Sequence, residues 1–186
     1  VRLDWRATDE MEAAGDITMA QSLTASCNPF FWEVGGILFN RDQDLLTRYG
    51  SELGFGSRTG LNVLGPEAAG NLAEPDSATQ AINNAIGQGD VQVTALQLAT
   101  MVSAIANRGT LYRPYIVQEV GGVDGAASSF QGDPTVVREL PYDDVVYDVV
   151  FDGMCAVTTN ENLGTAYRIF SNAPYTSCGK TGTAQA

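Results

Sequence analysis

The chain of 186 residues has no histidine and one lysine. Without histidine, Ser-His-Asp and Cys-His catalysis are excluded, together with the commonest metal ligand. A nucleophilic mechanism here needs lysine, a carboxylate or tyrosine as its base. Cysteine is scarce too. Cys27, Cys155 and Cys178 are odd in number and form no Cys-x-x-Cys pair, so neither a disulfide framework nor a zinc site is suggested. Buried free thiols are the expectation, and no metal or cofactor is expected. No apolar run is long enough to span a bilayer. Basic clusters are absent as well. The net charge of −12 and a pI near 4.1 argue against nucleic acid or an anionic membrane as partner.

What is present suffices for a core, since 44% of the residues are apolar. Asp16 is expected to cap a helix from Ile17 to about Ala25. Asn28 as N-cap and Pro29 in the first turn start a second helix, to about Phe39. Asp42 to Tyr49 reads as a third, ended by Gly50. Residues 57 to 75 read as loop, and Ser77 to Ala85 as a short helix. Thr94-x-x-Gln97 is a capping box, followed by an apolar stripe of Ala95, Leu98, Ala99, Val102, Ile105 and Ala106. Asn107-Arg108-Gly109 stops that helix. Leu111 to Val120 has extended character, and residues 121 to 134 form a Gly/Ser-rich loop. Pro141 opens a helix to about Val157, with Val145, Val146, Val149, Val150 and Met154 as its buried side. Ala166 to Phe170 and Tyr175 to Ala184 read as strands.

The one lysine lies in Gly179-Lys180-Thr181-Gly182-Thr183-Ala184-Gln185; nine arginines carry the remaining positive charge. A compact ammonium of tunable proton affinity is what arginine cannot supply. In an extended segment the side chains alternate, so Lys180 and the threonine hydroxyls address different parts of a site. Gly182 lets a ligand backbone approach closely. Such a set suits a peptide carboxylate. Gly-Lys-Thr also ends a phosphate loop, but Pro174 stands where that motif needs glycine. A second polar element is Ser26-Cys27-Asn28, which can offer a hydroxyl and an amide from one short loop, or simply cap a helix.

Together these motifs resemble the penicillin-binding proteins, the serine transpeptidases of cell-wall synthesis. Residues 179 to 185 match the family's Lys-Thr-Gly motif in its form Gly-Lys-Thr-Gly-Thr-Ala-Gln, and Ser26 and Asn28 match Ser-x-Asn. Ile86-Gly87-Gln88-Gly89, Val93 to Ala99 and Ala106 to Gly109 are similar to the stretch between those motifs. Phe55-Gly56, Thr59-Gly60 and Pro66 to Gly70 are similar to the segment after Ser-x-Asn. The resemblance is to the class B, elongation-type enzymes and covers nearly the whole chain.

The resemblance implies an α+β fold, part of the serine transpeptidase/β-lactamase-like domain: a mostly helical lobe plus late antiparallel strands, with the cleft between lobe and sheet. It implies a D,D-transpeptidase that cross-links peptidoglycan through a serine acyl-enzyme on D-Ala-D-Ala stems and binds penicillin. Ser26 and Lys180 would be catalytic, passing protons toward the leaving D-alanine. Asn28 would hold the peptide amide, Thr181 and Thr183 the terminal carboxylate, with Gly182 between them, and the Thr183 N–H would form half of the oxyanion hole. Partners would be the stem peptide, β-lactam antibiotics and a glycosyltransferase, with no nucleic acid. The location would be the extracytoplasmic face of the cytoplasmic membrane, with an anchor outside this chain.

The family's Ser-x-x-Lys nucleophile motif has no helical counterpart; Ser177-Cys178-Gly179-Lys180 fits only as text and overlaps the Lys-Thr-Gly segment. Residues 1–186 are therefore expected to be a fragment of one transpeptidase domain, lacking the Ser-x-x-Lys segment and the C-terminal strands and helix. A β-lactam-sensing receptor or a non-catalytic relative would carry the same motifs.

Overall fold

A computed structural model describes residues 4–9, 11–61, 65–121 and 129–182. Along the chain come α1 (Trp5–Thr8), α2 (Met19–Ala25), α3 (Asn28–Arg41), α4 (Leu45–Glu52), α5 (Ala78–Asn84) and α6 (Ala95–Ala106). They are followed by β1 (Thr110–Arg113), β2 (Glu119–Val120), β3 (Phe130–Gln131), β4 (Thr135–Glu139), α7 (Asp144–Thr159) and α8 (Tyr167–Phe170). The residues fall into two compact units. One holds 1–46, 73–91 and 142–186; the other holds 47–72 and 92–141.

In the first unit α2 packs on α7, and α3 on α5. Both contacts pass through glycine. A Cβ on Gly153 would meet the Ala20 carbonyl at 2.8 Å and Leu23 Cβ at 3.0 Å, and one on Gly35 would meet Ala85 Cβ at 2.7 Å. The backbones thus lie closer than any side chain would allow. The α2–α7 core is built from Ala25, Tyr147, Met154 and Val157. The buried Thr24 hydroxyl is satisfied there, donating toward Ala20 O at 3.0 Å and Gly153 O at 3.1 Å. Val145 and Val146, expected inside, are 63% and 44% exposed. Met154 is buried as expected, and the inward face of α7 runs with it through Tyr147, Gly153 and Val157. A helix buries the stripe its neighbour demands, and α2 demands the one containing the glycine.

Helix α2 begins two residues later than expected. Thr18 rather than Asp16 is its cap, because Gln21 returns the favour: Gln21 N–H donates to the Thr18 hydroxyl and Thr18 N–H to Gln21 Oε1. Two reciprocal bonds outweigh the single one that an aspartate could offer. Helix α4 likewise starts at Leu45, not Asp42.

In the second unit β1 pairs with β4, antiparallel and with an irregularity between Leu111 and Tyr112, while β2 pairs with β3. The β3 residues fall inside the expected 121–134 loop. Pro114, which cannot donate a hydrogen bond, follows the end of β1. Helix α6 has the expected Thr94/Gln97 capping box and ends on the expected stop, with Arg108 at φ 61° and Gly109 N–H bonded to Ala104 O. Its inward face is not the expected stripe. Gln97 and Ala104 are fully buried, whereas Leu98 and Val102 are 43% and 39% exposed. Gln97 wins that position because its amide also donates to Ser57 O (2.7 Å) and Ala69 O (2.8 Å), closing the 57–70 loop. Glu67 ties the same loop by accepting from the Thr59 and Gly60 amides at 2.8 and 3.0 Å. Burial alone would raise its pKa; the bonds from Thr59 and Gly60 outweigh that and lower it.

Three further expectations are corrected. Ala166 to Phe170 is not a strand but the helix α8, closed by Tyr167 N–H to Gly164 O and Phe170 N–H to Ala166 O. Residues 175 to 182 belong to no strand, since a ladder needs a paired edge and their backbone bonds go to helix α7 instead. Cys155 and Cys178 are not free thiols. They form a disulfide, and only Cys27 is free.

Candidate active site

The Ser26 turn comes from the junction of two helices. At the end of α2, Ser26 N–H bonds back to Leu23 O and Cys27 N–H to Ser22 O. That closure puts Ser26 in the left-handed region, φ 51° and ψ 44°. Serine there costs about 1–2 kcal/mol relative to glycine. The Trp5 indole N–H holds the turn from outside by donating to Ser26 O at 3.1 Å. Helix α3 then starts at once. Its cap residue is Cys27, with no side-chain cap bond, and Asn28 is the first helical residue rather than the expected cap. The Asn28 amide is therefore not used in capping, and it lines the cleft.

Lys180 arrives from the far end of the chain. Gly179 N–H donates to Met154 O at 3.0 Å, Ser177 O accepts from the Thr158 hydroxyl, and Cys178 is bonded to Cys155. All three ties are to α7. They deliver the Lys180 ammonium to the Ser26 hydroxyl, to which it donates at 2.8 Å. A second proton goes to Thr181 O at 2.9 Å. The Thr181 hydroxyl shares a 2.8 Å hydrogen bond with that of Thr165.

These groups border an open cleft of ≈ 960 Å³ within the first unit. Ser26, Asn28, Lys180, Thr181 and Gly182 all line it, with Trp5, Phe31 and Trp32 as aromatic wall. Thr183 lies outside the described residues. Among the described lining residues Lys180 is the only charged one. Loss of hydration among its neighbours lowers its pKa from the ordinary lysine value. The residue stays exposed toward the cleft mouth, so water moderates the effect. A lone ammonium in a polar, aromatic-walled cleft can receive a carboxylate and can exchange a proton with the hydroxyl it touches. Among the described residues no cluster of acidic, Cys or His groups could hold a metal.

Four lining residues were not anticipated as such. Trp5, Thr165 and the amides of Asn83 and Gln88 carry no local signal, although Gln88 sits in a block already noted for its family likeness. Ser177 to Lys180 is not helical, which removes its textual match to Ser-x-x-Lys.

Comparison with known proteins gives the chain a family. A family profile described as the penicillin binding protein transpeptidase domain matches residues 3–186. Peptidoglycan D,D-transpeptidase MrdA of Haemophilus influenzae is 28% identical over 193 residues, covering 98% of this chain and 28% of that protein. The structure of penicillin-binding protein 2B from Streptococcus pneumoniae superposes with a TM-score of 0.82 at 26% identity, over 98% of this chain and 32% of that one. A chain of a peptidoglycan synthase complex, described as coordinating polymerization and crosslinking, gives a TM-score of 0.77 at 28% identity, over 93% of this chain and 29% of that one. The chain thus spans less than a third of the length of these relatives. On the match of the profile across nearly its whole length, the chain belongs to the penicillin-binding protein transpeptidase domain family.

Proposed function

We propose that the protein carrying this chain is a D,D-transpeptidase that cross-links peptidoglycan and is acylated by penicillin. The observation that carries this reading is the 2.8 Å contact between the Lys180 ammonium and the Ser26 hydroxyl in a cleft bordered by Asn28 and Thr181. A serine acyl-enzyme without histidine needs a lysine-fed proton path. In the first step a serine outside this chain, on the family's Ser-x-x-Lys segment, gives its proton to that segment's lysine and attacks the carbonyl of the D-Ala-D-Ala bond. The C–N bond breaks, and the departing D-alanine nitrogen takes a proton from Ser26, which Lys180 replaces. Asn28 holds the stem-peptide amide. Thr181, with Thr183, receives the terminal carboxylate beside the ammonium, and Gly182 leaves room for the substrate backbone. An acceptor amine then attacks the ester and restores the nucleophile.

The chain is accordingly read as part of one longer transpeptidase domain. A polymerising glycosyltransferase is the partner proposed, supported by the likeness to the synthase complex. The extracytoplasmic face of the membrane is the proposed location, with the anchor in another segment. The Cys155–Cys178 bond supports that placement, because disulfides persist in oxidising compartments. Labelled penicillin tests the reading: the full protein should gain one ester-linked adduct that a D-Ala-D-Ala peptide competes away, and a protein that gains none overturns it.

A further inference from the structure

Helix α7 holds both halves of the cleft from three consecutive residues. Gly153 faces α2, where its carbonyl accepts from Thr24 and where α2 ends in Ser26. Met154 O accepts from Gly179 N–H, and Cys155 is bonded to Cys178, two residues before Lys180. Ser26 and Lys180 lie 154 positions apart in sequence, and this helix is a common ruler between them. Residues 176 to 182 belong to no strand among the described residues, so their place rests on the ties to α7 and on the Thr181–Thr165 hydroxyl bond. Of the three ties to α7, two are single hydrogen bonds at a partly open surface and the third is covalent.

We propose that the Cys155–Cys178 disulfide is a positioning element of the active site: by pinning residues 177–179 to α7 it sets the Lys180 ammonium on the Ser26 hydroxyl. The proposal rests on the transpeptidase reading for its effect on rate. In the reduced protein the segment would hang on hydrogen bonds alone, and the ammonium would spend less time on Ser26 and more in water. The lowered lysine pKa would then return toward its ordinary value. Among the described cleft residues no other charge faces Lys180: those from α1, α2, α3, the 83–89 segment and Thr165 are all uncharged.

The test uses the full protein and a water-soluble phosphine. The disulfide takes two electrons and two protons to give two thiols, while the phosphine takes an oxygen from water and becomes its oxide. The rate constant for acylation by labelled penicillin is measured across pH in the oxidised, reduced and C155A/C178A forms. Amide exchange at Gly179 and the melting temperature are recorded on each. Reduction should slow acylation about tenfold, move the alkaline limb of the pH profile upward and speed exchange at Gly179. The double variant should behave like the reduced protein and ignore the phosphine. An unchanged rate and limb in the reduced protein would overturn the proposal. So would a slower rate with a lower melting temperature but an unmoved limb and Gly179 exchange, which marks a purely structural bond. If no form is acylated, the transpeptidase reading fails, and Gly179 exchange alone decides the positioning role: faster after reduction upholds it, unchanged overturns it.

Discussion

The two sides of the cleft are held in different ways. The Ser26 side is local: a helix end, a left-handed residue and an immediate second helix, all within residues 19 to 41. The Lys180 side is remote: a segment with no strand partner among the described residues, tied to α7 by two hydrogen bonds and a disulfide. A rigid turn thus presents the hydroxyl, and a tethered arm brings the ammonium to it. Precision at the contact depends on the weaker side.

Removing the arm's end group should have the largest effect. Lys180→Ala is expected to lower penicillin acylation of the full protein by roughly 100-fold or more, the range of a lost proton-transfer group. Lys180→Arg should not rescue it, because a guanidinium does not give up its proton; a rescued rate would show that charge alone matters. Disturbing the rigid side comes next. Gly153→Ala drives a methyl into Ala20 O and Leu23, so stability should fall by about 1–3 kcal/mol in a thermal or denaturant melt, and acylation should fall with it. An undiminished melting temperature would mean that α2 and α7 are not in close contact.

Asn28→Ala sharpens the contrast between capping and binding. Because Cys27 is the cap, the melt should move by no more than about 0.5 kcal/mol, while kcat/KM for a D-Ala-D-Ala peptide falls about tenfold, as for one lost hydrogen bond to a charged or tightly placed group. A stability loss near 1 kcal/mol without a change in kcat/KM would restore the plain capping role. The smallest effect is on the pH profile. Loss of hydration lowers the Lys180 pKa, so the ammonium deprotonates earlier. The alkaline limb of acylation should therefore lie below the roughly 10.4 of an ordinary lysine and vanish in Lys180→Ala.

The same local–remote division decides what could be read from the sequence. Thr94-x-x-Gln97 was legible because a capping box is completed within four residues, and both of its bonds are present. Ser26 and Asn28 were legible as a polar turn, though the cap proved to be Cys27. Lys180 stood out by residue type. What escaped was settled at a distance. Tyr175 to Ala184 read as a strand, but a strand exists only with a partner, and residues 175–182 have none among the described residues. Tyr-Arg-Ile-Phe at 167–170 has strand-forming side chains and too few residues to show a helical period. The buried face of α6 was chosen by two carbonyls near residues 57 and 69, not by its apolar stripe. Cys155 and Cys178, 23 residues apart, gave no pairing signal. Trp5 and Thr165 enter the site only because the fold brings them there.

The central claim is that Ser26 and Lys180 act as one unit. A double-mutant cycle on the penicillin acylation rate of the full protein, with S26A, K180A and both together, measures this directly. The pair should be strongly non-additive, the double variant being no slower than the worse single one within a few-fold. Losses that multiply would contradict the account, since two groups that share one proton path cannot fail independently.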